Sequence, residues 1–155
     1  MGKISLPIIN NRIIIKVVLG SGKLENGNII YSENKPVKEY RAMIDTGSGS
    51  SIITKKIVNE LKLEPLGKEK FVSTIFDKDM KTNAYEVILG IYNKEPIRLS
   101  FNKRSYNDSC FLIPTTAYLI ENNSMEKDGF DMILGMNEIT EGHLTISGNA
   151  FIFSI

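Results

Sequence analysis

The sequence predicts an all-β protein, a barrel or sandwich of many short strands with one or two short helices. Two observations carry this. Short apolar runs rich in isoleucine recur along the chain, separated by clusters of Gly, Asn, Lys and Asp. β-Branched residues suit a pleated, half-buried surface, and such clusters supply turns. Helical spacing of apolar residues, by contrast, is confined to two places. With 155 residues the chain is expected to form one domain, residues 1–155, long enough to bury a core without disulfides or metals.

Taken in order, Arg12 to Leu19 reads as a strand and Gly20 to Asn28, with its three glycines, as a turn or loop. Ile29 to Tyr31 and Glu39 to Ile44 read as strands, with a polar segment containing Pro36 between them. Thr54 to Leu63 has Ile57, Val58 and Leu61 at helical spacing, and Pro65 follows as a stop. Phe71 to Phe76 and Asn83 to Ile91 form a hairpin candidate around a polar tip, Asp77 to Lys81. Pro96 to Phe101 and Ser109 to Ile113 are further strands, and Asn122 to Gly129 reads as a loop. Gly135 to Thr140 suits a short helix closed by Gly142. Leu144 to Ile146 and Phe151 to Phe153 flank a Gly148-Asn149 hairpin turn.

Composition narrows the function classes. Apolar and charged fractions of 42% and 24% are those of an ordinary globular protein. A formal net charge of +1, with interleaved lysines and acids, gives no electrostatic case for nucleic acid or anionic lipid. No run is long enough to span a bilayer, because Ile13 to Leu19 is broken by Lys16. The N-terminal run Ile4 to Ile9 is short, interrupted by Pro7, and unlike a signal peptide. Cys110 is the only cysteine, which excludes an intrachain disulfide and fits a reducing compartment; the expectation is a cytoplasmic protein without membrane or nucleic-acid partners.

The chemistry-bearing segment runs Ala42-Met43-Ile44-Asp45-Thr46-Gly47-Ser48-Gly49-Ser50-Ser51-Ile52-Ile53. An apolar strand aims Asp45 at one point, Gly47 permits a tight turn, and the small residues let another backbone approach. Near the C-terminus stands Phe130-Asp131-Met132-Ile133-Leu134-Gly135-Met136-Asn137. The first segment resembles the active-site loop of retropepsin-like aspartic peptidases, hydrophobic-hydrophobic-Asp-Thr-Gly-Ser/Ala. The second is similar to that family's hydrophobic-hydrophobic-Gly segment, which packs through the catalytic loop and enters a short helix. The order of elements matches from roughly Val37 to Ile155, while close matching is limited to the two motifs.

The resemblance implies a closed retropepsin-like β-barrel and an aspartic endopeptidase that needs neither cofactor nor metal. It implies two catalytic carboxylates, and the chain has one Asp-Thr-Gly and half the length of a bilobal enzyme. The second Asp45 is therefore expected from a two-fold-related chain in a homodimer. Two carboxylates about 3 Å apart cannot both ionise cheaply, so they share one proton. Thr46 is then the residue that bonds across the dimer, and Gly47 permits close approach and presents backbone groups to substrate. Ser48 stands at the Ser/Ala position, where its hydroxyl can reach an outer carboxylate oxygen. The Phe71 to Val87 hairpin resembles the flap, although its tip lacks the glycines of retroviral flaps. The implied partner is an extended peptide or protein substrate, taken up by strand addition. Ile75, Phe76, Ile133 and Leu134, with Gly135 beside them, are the candidate substrate-binding residues, which favours apolar side chains around the cleaved bond. The hydrophobic hairpin Leu144 to Ile155 is a candidate dimer strand pair.

Other signals are weaker. Cys110 and His143 lie in no local peptidase motif, and one residue of each leaves a zinc site short of ligands. Gly20-Ser21-Gly22-Lys23 lacks the earlier glycine of a phosphate loop and has Leu24 in place of Ser or Thr. Asp77, Asp79 and Asp131 have no metal-ligand spacing, and Asp131 is placed to anchor the start of a neighbouring helix. The alternative function is a non-catalytic peptide-binding or dimerisation module that keeps the same fold.

Overall fold

The fold is built from short strands, some burying alternate residues and the central ones buried at consecutive positions. A computed structural model describes residues 3–72, 80–92, 110–121 and 123–154. In chain order the first strands are β1 (Lys3–Pro7), β2 (Ile14–Gly20), β3 (Gly22–Glu25), β4 (Asn28–Tyr31), β5 (Val37–Ile44) and β6 (Ser51–Thr54). Helix α1 (Lys55–Leu61) follows, then β7 (Pro65–Val72), β8 (Met80–Tyr92) and β9 (Cys110–Ile120). The chain continues with α2 (Ser124–Lys127), β10 (Met132–Leu134), α3 (Met136–Ile139), β11 (His143–Ser147) and β12 (Ala150–Ser154).

Seven strands form one sheet in the order β2-β5-β10-β6-β9-β8-β7, and β2 also pairs with β8 through Val17↔Ile91 to Gly20↔Ile88. A second sheet of three strands has the order β1-β12-β11, and β3 and β4 form a separate ribbon. The pairing is largely antiparallel; the parallel pairs are β10 with β5 and β6 with β9. Period-2 alternation is clear in β5 from Glu39 onward, where Tyr40, Ala42 and Ile44 are buried while Glu39 and Arg41 face solvent. Strand β8 is different: Val87 to Tyr92 are buried without a break, because this strand is covered on both faces. The main core joins Ile15, Val17 and Leu19 of β2, Val87 and Leu89 of β8, Met132 and Leu134 of β10, and Phe151 and Phe153 of β12.

Helix α1 ends at Leu61, two residues before the expected Leu63. Lys62 takes the left-handed conformation (φ 51°) and its N–H bonds back to Asn59 O, while Leu63 N–H reaches Val58 O. Pro65 then opens β7 rather than merely stopping the helix. Ile57 and Leu61, at i and i+4, are fully buried against the sheet.

Several expectations are corrected. The Gly20 to Asn28 stretch is not a plain loop: it holds β3, and Asn26 (φ 51°) and Gly27 (φ 79°) make the turn into β4. Lys3–Pro7 is a strand because β12 supplies a partner through Ile4↔Phe153 and Leu6↔Phe151. The polar 123–129 stretch carries the one-turn helix α2, pinned by buried Met125. Strand β9 runs to Ile120, well past Ile113. Hairpin arms β7 and β8 pair through Phe71↔Lys81 and Val72↔Met80, so Met80 and Lys81 belong to the arm and not to the tip. The expected strand at Pro96 to Phe101 lies outside the described residues, as do Ile75, Phe76 and Asp77 to Asp79.

Candidate active site

Strand β5 delivers Asp45 to the end of the large sheet. Its last residue, Ile44, donates its N–H to Ile13 O at 2.9 Å, and Asp45 donates its N–H to Leu134 O at 3.0 Å. Both neighbouring backbones therefore hold the point where the strand becomes a turn. The turn itself is closed twice. Ser48 N–H reaches Asp45 O at 3.1 Å, and Gly47 N–H donates to Asp45 Oδ1 at 2.9 Å. The second bond is an Asx turn, in which the carboxylate imitates a backbone carbonyl. A β-carbon on Gly47 would sit 3.2 Å from Asp45 Oδ1, so glycine keeps the carboxylate close over the turn. Asp45 is half-buried, whereas Thr46 and Gly47 are exposed.

Ser48 does not use its hydroxyl on Asp45 within this chain. Its Oγ donates to Ser50 O at 2.7 Å, and its carbonyl accepts Met136 N–H at 2.7 Å. That second bond ties the Asp45 loop to the first residue of α3.

Strand β10 lies between β5 and β6, the two strands on either side of the loop. It runs parallel to β5 (Met132↔Ala42 to Leu134↔Ile44) and antiparallel to β6 (Met132↔Ile53, Ile133↔Ile52). The candidate substrate-binding residues Ile133 and Leu134 are buried there, 6% and 2% exposed, in two different apolar clusters. Their side chains are core in the single chain, and Leu134 reaches the site through its carbonyl. Gly135 is the point of closest approach. A β-carbon there would stand 2.5 Å from Ser50 C, 2.6 Å from Ser50 O and 2.9 Å from Ser48 O. Only a residue without a side chain lets β10 and α3 pass beneath the loop.

Beneath the loop lies a buried polar relay that the sequence did not signal. Gly135 N–H donates to Ser51 Oγ at 3.0 Å, and the Ser51 hydroxyl donates to Glu138 Oε2. Glu138 is 4% exposed and its carboxyl also bonds the Thr115 side chain. Burial pushes this carboxyl above the ordinary range, with hydrogen bonds from Ser51, its own backbone and Thr115 pulling the other way. Ser51 is one serine among several, and Glu138 is a charged residue in a short helix. Neither type nor spacing marks either one; only the crossing of β10 under the loop puts them together.

Asp131 forms an ion pair with Lys56 Nζ of α1 at 2.9 Å and caps no helix N–H there; its other oxygen accepts Arg41 N–H at 3.3 Å. Cys110 is buried, its thiol pushed up to about 11 by desolvation, on β9 of the large sheet. His143 is exposed and opens β11 in the other sheet, so the two form no dyad. No cluster of three or more metal-ligating side chains occurs among the described residues. Among the same residues no helix is long and apolar enough to cross a membrane.

No protein-family model matches the sequence, and no curated protein matches it either. A solved structure does: the crystal structure of a retropepsin-like aspartic protease from Rickettsia conorii is similar over 98% of this chain and 90% of that one, with a TM-score of 0.52 and 15% sequence identity. At that identity the likeness is one of backbone arrangement, and it shows that this mostly-β chain has a retropepsin-like fold.

Proposed function

We propose that the chain is an aspartic endopeptidase that works as a homodimer, residues 1–155 acting as one domain and each protomer contributing Asp45. The observation that carries this reading is the Asp45 turn itself. Its carboxylate is held by Gly47 N–H, its backbone is tied to Leu134, and the loop is braced on Gly135 and α3, all within a retropepsin-like fold. The β2–β8 pairing supports reading the large sheet as a closed barrel.

In the dimer the two carboxylates share one proton. The ionised Asp45 takes a proton from a water as the water oxygen bonds to the scissile carbonyl carbon. The protonated Asp45 donates to the carbonyl oxygen. Collapse of the tetrahedral intermediate transfers a proton to the amide nitrogen and breaks the C–N bond. No covalent enzyme intermediate is involved. Thr46, exposed beside Asp45, is the residue that bonds the partner loop, and the β7–β8 hairpin is the flap. Substrates are extended peptides with apolar residues around the cleaved bond, and the buried thiol of Cys110 suits a reducing, cytoplasmic setting.

The test is cleavage of a diverse peptide library, read by mass spectrometry, with sedimentation of the same sample. Wild type is expected to sediment as a dimer and to cut between apolar residues. Asp45→Asn is expected to lose about 10²–10⁴-fold in rate. A dimer that cuts nothing from acid to neutral pH favours the peptide-binding module, and undiminished cutting by Asp45→Asn overturns the mechanism.

A further inference from the structure

The β3–β4 ribbon and the root of the β7–β8 hairpin border an open cleft of about 400 Å³, a volume in the range of ligand-binding sites. Ile30 and Tyr31 of β4 line it with Pro65 and Leu66 of β7, and Glu64 and Glu86 stand among the same side chains. No residue of the Asp45 loop, of β10 or of α3 borders it. The cleft is therefore separate from the candidate active site.

Its walls suit an extended chain. Among the described residues β4 pairs only with β3 and β7 only with β8, so each strand keeps one edge free. A free edge takes up an extended peptide through main-chain hydrogen bonds, and pockets for alternate side chains supply the selectivity. The apolar contact is ready on β4, where Ile30 is 43% exposed.

The charges decide what kind of peptide fits. Two lysines and two glutamates line the cleft. The lysines are already engaged. Lys23 Nζ lies 3.4 Å from Glu25 Oε1, and Lys35 Nζ donates to Lys62 O at 2.7 Å, just past the end of α1. The glutamates are not: among the described residues no ion pair involves Glu64 or Glu86. Glu86 is also the one exposed residue of β8 between Ala84 and Tyr92. A carboxylate thus interrupts an otherwise buried stretch of strand at the point where that strand borders the cleft. The unmatched charge is negative, and a cation complements it.

We propose that this cleft is a second peptide-binding site, for an extended segment that adds to a free strand edge, lays an apolar side chain on Ile30 and Leu66, and sets a lysine or arginine against Glu64 and Glu86. In a peptidase such a segment is a stretch of the protein substrate away from the cleaved bond, and it selects substrates that carry alternating apolar and basic residues. That consequence rests on the aspartic-peptidase reading; the binding itself does not.

The experiment uses the full chain carrying Asp45→Asn, so that the probe stays intact. Two capped fluorescent pentapeptides are titrated, Val-Lys-Val-Lys-Val and Val-Glu-Val-Glu-Val, with binding read by anisotropy and located by amide chemical shifts. The basic probe is expected to bind and to shift residues 28–32, 64–66 and 86. Glu64→Gln with Glu86→Gln weakens it about 5–30-fold, as for two solvated ion pairs, and added salt does the same. Glu64→Lys with Glu86→Lys turns the preference toward the acidic probe. Equal binding of both probes to the unaltered cleft, shifts confined to the Asp45 loop, or no binding overturns the proposal. Shifts of the cleft residues that grow with protein concentration alone make it a contact between copies and overturn it as well. Wild type that cuts no peptide sinks the peptidase reading alone, because the titrations still report on the cleft.

Discussion

Gly135 has no room for a β-carbon, and this single fact explains how the Asp45 loop is held. The atoms in the way are backbone, Ser50 C and O and Ser48 O, which cannot rotate aside as a side-chain tip could. Gly135→Ala is therefore expected to force the loop off β10 at a cost of about 1–3 kcal/mol, the usual range for overpacking. Denaturant unfolding would show this as a lowered midpoint, and cleavage should fall further than stability because the loop carries Asp45. An Ala variant as stable and as active as wild type would mean the loop has slack that the close contacts do not suggest. Gly47 is the milder case: its β-carbon would approach one flexible oxygen, Asp45 Oδ1, at 3.2 Å.

Between elements, the controlling feature is β10. Three residues long, it joins β5 to β6 across the loop and leads directly into α3. Its entrance is clamped by Asp131, whose oxygens reach Lys56 of α1 and the Arg41 N–H of β5, while its backbone N–H and C=O bond Arg41 and Thr54. Asp131→Ala removes the side-chain half of that clamp and is expected to cost about 1.5–3 kcal/mol, as for hydrogen bonds to a charged group. The loss should persist in moderate salt, since the carboxylate also serves a backbone N–H, and urea titration with and without added salt would check it. Leu134 shows why the substrate-wall reading of this strand needed tertiary context. An apolar residue beside a site glycine can line a groove or fill a core, and in the single chain Leu134, 2% exposed, packs into the main core cluster.

At the scale of the whole molecule the question is what completes the site. The terminal sheet leaves β1 and β11 paired only with β12 among the described residues, and Ile146 on β11 is 57% exposed. An open edge with an exposed isoleucine is suited to pairing with a second chain. Placing a charge there tests the proposed homodimer without disturbing the monomer's core. Ile146→Asp is expected to weaken self-association by about 10–100-fold, the equivalent of losing one buried aliphatic side chain. Sedimentation across a concentration series reads this, with an unchanged unfolding midpoint as the control. Cleavage should fall in step with dimer content if Asp45 must meet its counterpart. Equal dimer content in wild type and variant would move the interface elsewhere.

The chain order of chemical types was enough for the all-β class, for α1 and α3, for the terminal hairpin, and for Asp45-Thr46-Gly47 as a strand-ending turn. These are local matters, set by alternation, helical spacing and turn-forming residues within a few positions. Partnership is not local. Lys3–Pro7 became a strand because β12 lies beside it, and Gly22–Glu25 became one because Asn26 and Gly27 fold β4 back against it. The relay of Gly135, Ser51, Glu138 and Thr115 spans residues from 51 to 138 and has no periodicity to betray it. Hydrogen bonds between distant residues depend on which strands are neighbours, and that ordering is settled by burial of the whole core at once rather than by any segment of sequence.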